Sequence, residues 1–127
     1  MRIFHELVVE EVVCDQLYHR SEPHWMLMLG AFESTRITVV ADRVSGTSPT
    51  IYVGAQHSPD ATWKAAFLAD AIASGSIPPG QKTMVTGTLG DLSTPGSYAT
   101  ELLYKLTDSP GTPKARIRIW VTGRGRV

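Results

Sequence analysis

Along most of the chain apolar residues alternate with polar ones in short runs, and clusters of Gly, Pro, Ser, Thr and Asp separate the runs. Successive side chains of a strand point to opposite faces, so this period of two predicts half-buried β-strands joined by turns. The last run is the cleanest. Across 115–122, Ile117, Ile119 and Val121 are set to enter a core while Arg116, Arg118, Trp120 and Thr122 point away from it. Within 36–42, Ile37, Val39 and Ala41 share one face, and within 51–57 Ile51, Val53 and Ala55 do the same. The turn formers Ser45-Gly46-Thr47-Ser48-Pro49 between these runs predict an antiparallel pair over 36–57. Strands are also expected over 25–29, 82–89 and 101–106.

Two segments depart from strict alternation. Residues 3–13 are β-rich, with Leu7, Val9, Val12 and Val13 apolar, but their phase shifts near Glu10 and Glu11, where a bulge or a break is expected. The segment 1–13 is read either as the first strand of its own sheet or as an arm that adds to a neighbouring subunit. Residues 62–74 are rich in alanine, and Trp63, Ala66, Phe67, Ala71 and Ile72 nearly fit one helical stripe with Asp60 near its start, so one short helix is allowed there.

About seven short strands with frequent turns predict an all-β fold, an antiparallel β-sandwich or jelly roll in a single domain over 1–127, with a closed barrel as the alternative. With 43% hydrophobic and 19% charged residues the chain has the makeup of an ordinary globular domain. Twelve basic and twelve acidic side chains cancel, which removes the field that gathers nucleic acid or an anionic membrane. A local patch of charge stays open. Residues 1–11 lack the uninterrupted apolar run of a signal peptide or a membrane span, and Cys14, the single cysteine, excludes an internal disulfide. Synthesis in the cytoplasm is the expectation.

Catalytic patterns are weak. Ser58 lies in His57-Ser58-Pro59-Asp60 rather than in a nucleophile elbow, and neighbours on a tight turn project apart whereas triad members converge from separate segments. His5, His19, His24 and His57 lack the paired spacing of zinc sites. Asp42, Asp60, Asp91 and Asp108 would bind calcium only if folding gathered them, and each suits a turn-capping role. Glu10 and Glu11 fall on opposite faces of a strand, and Gly87-Thr88-Leu89-Gly90 is no phosphate loop. No catalytic residue, metal or cofactor is assigned from these patterns.

Binding chemistry is concentrated at the end of the chain. Arg116, Arg118 and Trp120 on the outer face of the last strand are residue types favoured at protein interfaces, and Arg124 and Arg126 in the basic stretch 123–127 extend the patch as a flexible tail. The competing account is that the arginines only solvate that face. Trp25, Trp63 and Trp120 also raise the alternative of a carbohydrate-binding module, which needs coplanar exposed aromatics, and a small enzyme with an unrecognised site stays open.

The run Val44-Ser45-Gly46-Thr47-Ser48-Pro49-Thr50-Ile51-Tyr52-Val53, then Gln56-His57-Ser58-Pro59-Asp60 with Trp63, and the closing Ala115-Arg116-Ile117-Arg118-Ile119-Trp120-Val121-Thr122-Gly123, resemble segments of phage-associated β-sandwich and jelly-roll proteins. The resemblance implies a non-enzymatic virion component, a decoration protein that sits on a capsid shell and contacts both the shell and further copies of itself as a homo-oligomer. It brings no catalytic residues with it.

Overall fold

The computed structural model describes residues 2–22, 24, 34–56, 72–88 and 101–125 of the chain. They form eight strands: β1 (Ile3–Val13), β2 (His19–Arg20), β3 (Ser34–Ser45), β4 (Thr50–Gln56), β5 (Ala73–Ser76), β6 (Thr83–Thr88), β7 (Glu101–Thr107) and β8 (Lys114–Arg124). Two four-stranded antiparallel sheets result, in the orders β1-β8-β3-β6 and β2-β7-β4-β5. The pairing is nested, β1 with β8, β2 with β7, β3 with β6 and β4 with β5, and this rolled-up ribbon is the jelly-roll form of the β-sandwich.

Alternation explains the core. Ile117, Ile119 and Val121 of β8 are fully buried, as are Ile37, Val39 and Ala41 of β3, and they meet Ile51 and Val53 of β4 and Leu102, Tyr104 and Leu106 of β7 from the other sheet. Each large aliphatic side chain removed from water in this way contributes about 1.5–3 kcal/mol. At Gly87 the two sheets come too close for a side chain, because a Cβ there would strike the backbone carbonyl of Ile72.

Three expectations are corrected, and a fourth, the helix, falls mostly outside the described residues. The segments 36–42 and 51–56 are strands but not a hairpin, since β3 bonds to β6 and β8 while β4 bonds to β5 and β7. The turn formers at 45–49 carry the chain from one sheet to the other. Buried Asp108 holds that corner by accepting the N–H groups of Thr47 (2.9 Å) and Ser48 (2.8 Å). Gly46 (φ 129°) and Gly111 both lie where a Cβ would collide with the Asp108 carboxylate. The irregularity of β1 falls between Leu7 and Val9, not at Glu10 and Glu11, and leaves Val8 as the extra residue. The helix allowed over 62–74 lies outside the described residues up to 71, and Ala73 and Ser74 belong to strand β5. The chain from 123 is no free tail as far as it is described: Gly123 and Arg124 extend β8, and the Gly125 N–H donates to the carbonyl of Arg2 (2.7 Å).

β1 pairs with β8 of its own chain over Ile3–Val13, so this segment is the first strand of its own sheet. The strand expected over 25–29 lies outside the described residues.

Candidate functional site

The side chains that alternation turns away from the core of the β1-β8-β3-β6 sheet form one outer face. Strand register sets its rows. Leu7, Trp120, Thr38 and Thr86 lie side by side across the four strands, and Glu10, Arg118, Val40 and Met84 make the next row. Beyond it Val12, Arg116 and Asp42 are aligned. Among the described residues the exposed large hydrophobic side chains are Ile3, Leu7, Val12, Leu17 and Met84, and all except Leu17 sit on this face. Met84, 67% exposed, shows how bare it is.

The structure brings three of the expected contact residues together here. Arg116 is locked to Asp42, its Nε donating to Oδ1 (2.7 Å) and a second guanidinium nitrogen to Oδ2. That hydrogen-bonded guanidinium holds the Asp42 carboxyl below the usual carboxylate range, against the opposing effect of burial. Arg118 reaches Asp42 only loosely, at 3.6 Å, and its buried Nε has no hydrogen-bond partner among the described residues. Trp120 lies flat on His5, with ring centroids 4.7 Å apart and planes 2° from parallel, and the His5 ring is anchored at Thr122 Oγ1 (2.6 Å). Arg124 closes β8 at the far end of the face, whereas Arg126 lies outside the described residues. Between the rows, Trp120, Arg118, Val40, Thr83, Met84 and Lys82 line an open hollow of about 440 Å³.

A second polar cluster, which sequence reasoning missed, spans the seam between the sheets. The Tyr104 hydroxyl of β7 donates to Glu11 of β1, and His19 of β2 presents Nδ1 to Glu11 (2.9 Å) and Nε2 to Asp15 (2.8 Å) while its ring stacks near Tyr104. Burial, and then the neighbouring Glu11, push the Tyr104 hydroxyl well above its ordinary range, so it stays protonated and keeps donating. The His19 hydrogen bond and the Leu17 N–H lower Asp15. These groups satisfy one another and tie one sheet to the other. The only available signal was the proximity of Glu11, Asp15 and His19 in sequence, and it is silent about Tyr104, which lies far along the chain.

The remaining candidates have structural partners. His24 meets Glu6 at 2.9 Å, Asp108 caps its corner, and among the described residues no three His, Cys, Asp or Glu side chains converge as a metal site. Cys14 is exposed. His57, Ser58, Asp60, Trp25, Trp63 and Asp91 lie outside the described residues. No helix among the described residues is long and apolar enough to cross a membrane. Compared with known proteins, the chain matches no family model and shows no significant sequence similarity to a curated protein.

Proposed function

We propose that the protein is a non-enzymatic structural component of a virion-like particle, held in place by protein–protein contacts in which the outer face of the β1-β8-β3-β6 sheet takes part. The observation that carries this reading is the concentration of Ile3, Leu7, Val12 and Met84, all exposed, around Arg116, Arg118 and Trp120 on one sheet face. An apolar patch of this kind, mixed with arginine and tryptophan, has the composition of an interface centre rather than of ordinary solvated surface. The jelly roll serves viral shells, lectins and other proteins, so the fold supports a shell role only by analogy. Among these we favour the shell because 44–53, 56–60 with Trp63, and 115–123 resemble segments of phage-associated proteins. Of the two alternatives, a sugar platform would need a second exposed flat aromatic beside Trp120, yet the ring stacked on it is the imidazole of His5.

Co-sedimentation with purified phage shells stripped of their decoration proteins tests the proposal. The expected result is saturable pelleting of the folded protein with stripped shells and none with fully decorated ones. Protein that stays in the supernatant with every shell overturns the assignment.

A further inference from the structure

We infer that the outer face of the β1-β8-β3-β6 sheet is occupied by a second copy of the same chain, related by a two-fold axis that runs along the strands between β8 and β3. This rests on the assembly reading and names the partner at that face. The argument comes from what stands at the two edges. On the β1 edge, exposed Glu10 is flanked by the exposed apolar side chains of Leu7 and Val12. On the β6 side, the hollow offers apolar Val40, Met84 and Trp120 with the cations Lys82 and Arg118. One edge is a carboxylate between two hydrophobic knobs, and the other is an apolar hollow rimmed with positive charge.

Within the chain Glu10 acts on the Arg116 guanidinium only through its field, without a contact. Neither Glu10 nor Lys82 takes part in an ion pair among the described residues. Asp42 is engaged by Arg116, which leaves Arg118 with its long contact and an unpartnered Nε.

Register then selects the symmetry. Glu10, Arg118, Val40 and Met84 share one row. A two-fold axis parallel to the strands, midway between two facing sheets, exchanges the left and right edges and keeps each row opposite itself. It therefore sets Glu10 of each copy over Met84 and beside Lys82 of the other, twice per dimer, and brings Trp120 across from Thr38 and Arg118 across from Val40. An axis perpendicular to the strands would stack β1 on β1 and leave every Glu10 away from Lys82. The tilt of about 30° between aligned packed sheets leaves the central rows opposed. Four strands about 4.8 Å apart and roughly 30 Å long offer about 600 Å² in projection. Side-chain relief raises the accessible area towards the about 800 Å² per partner of a standard interface. The contact is isologous and closes at two copies, leaving the remaining surface of the dimer to meet a shell.

Sedimentation velocity over a concentration series, on the wild type, on Glu10→Lys and on Lys82→Glu, tests this. All three keep the same folded circular dichroism spectrum, because both positions are exposed. The wild type dimerises, and each single variant weakens dimerisation by about ten-fold or more, since it places like charges opposite each other at two symmetric contacts. An equimolar mixture of the two variants restores a dimer, because in the mixed pair every acid again faces a base. A wild type that stays monomeric, or a dimer indifferent to both variants and to their mixing, overturns the inference. A monomer that still pellets with stripped shells overturns the dimer and spares the shell role, whereas a charge-dependent dimer that never pellets does the reverse.

Discussion

The two sheets of this sandwich share one core but finish their outer faces differently. In the β2-β7-β4-β5 sheet, β7 is buried on both sides at its start: Leu102 and Tyr104 enter the core, while Glu101 and Leu103 on the opposite face are also withdrawn from water, Leu103 being only 1% exposed. Arg20 pairs with Glu101 at 2.8 Å, and Lys105 lies over the ring of Tyr18. In the β1-β8-β3-β6 sheet the equivalent face keeps Leu7, Val12 and Met84 in solvent. One face is closed within the chain and the other is not. The difference teaches where this protein keeps its stability, because burying apolar surface at the first face strengthens the fold, whereas at the second the same surface would be buried only by a contact from outside the chain.

Charge substitutions break or sharpen that contrast in a graded series. Ile119→Asp, which buries an unpaired carboxylate in the centre of the core, is expected to cost about 4 kcal/mol or more and to abolish cooperative folding in a urea titration. Leu103→Asp is expected to approach that loss, about 3 kcal/mol, although the residue sits on an outer face. If its urea midpoint matched the wild type, the second sheet would not be closed as described.

Acid is expected to act more mildly. Because the Asp42 carboxyl is held below its ordinary range in the folded protein, its pairing with Arg116 stabilises fully above about pH 4 and is lost as pH falls through that lowered value. Asp42→Asn should accordingly be less stable than the wild type at neutral pH, with the gap closing towards pH 2 in thermal melts. Smaller still, Trp120→Ala is expected to keep the fold, within about 1 kcal/mol, while weakening association by about ten-fold. Met84→Asp should leave the melting temperature almost unchanged, within about 0.5 kcal/mol, because the side chain is already in water. A large loss of stability at Met84 would show that the face is closed after all.

Much of the fold was legible because alternation is a local property. The inward Ile117, Ile119 and Val121 and the outward Arg116, Arg118 and Trp120 follow from parity alone, and β1, β3, β4, β6, β7 and β8 all overlap runs expected to be strands. What failed depended on distant residues. Turn formers at 45–49 look the same whether a strand turns back beside itself or crosses to the other sheet, and here Asp108, about sixty positions later, holds the crossing. The two-residue β2 is too short to carry a period, and β5 sits in a stretch whose small residues also suit a helix. The phase shift in β1 was visible, but its place was not, because Leu7, Val8 and Val9 are all apolar and any of them could be the extra residue. For the same reason the candidate face was only half legible. Its β8 column could be read, whereas its neighbours on β1, β3 and β6 are set by register between segments far apart in sequence.

The extra residue in β1 has a consequence for behaviour at high concentration. Among the described residues β1 is an edge of its sheet and one of its longest strands, the kind of flat, sticky border along which chains stack without limit into fibrils. Val8 spoils that border. By kinking the strand midway it breaks the regular ladder of free amides and carbonyls that an incoming strand would need, so no uninterrupted run of 11 residues is on offer for templated growth. A deletion of Val8 that straightened the edge is therefore expected to make the protein more prone to runaway aggregation.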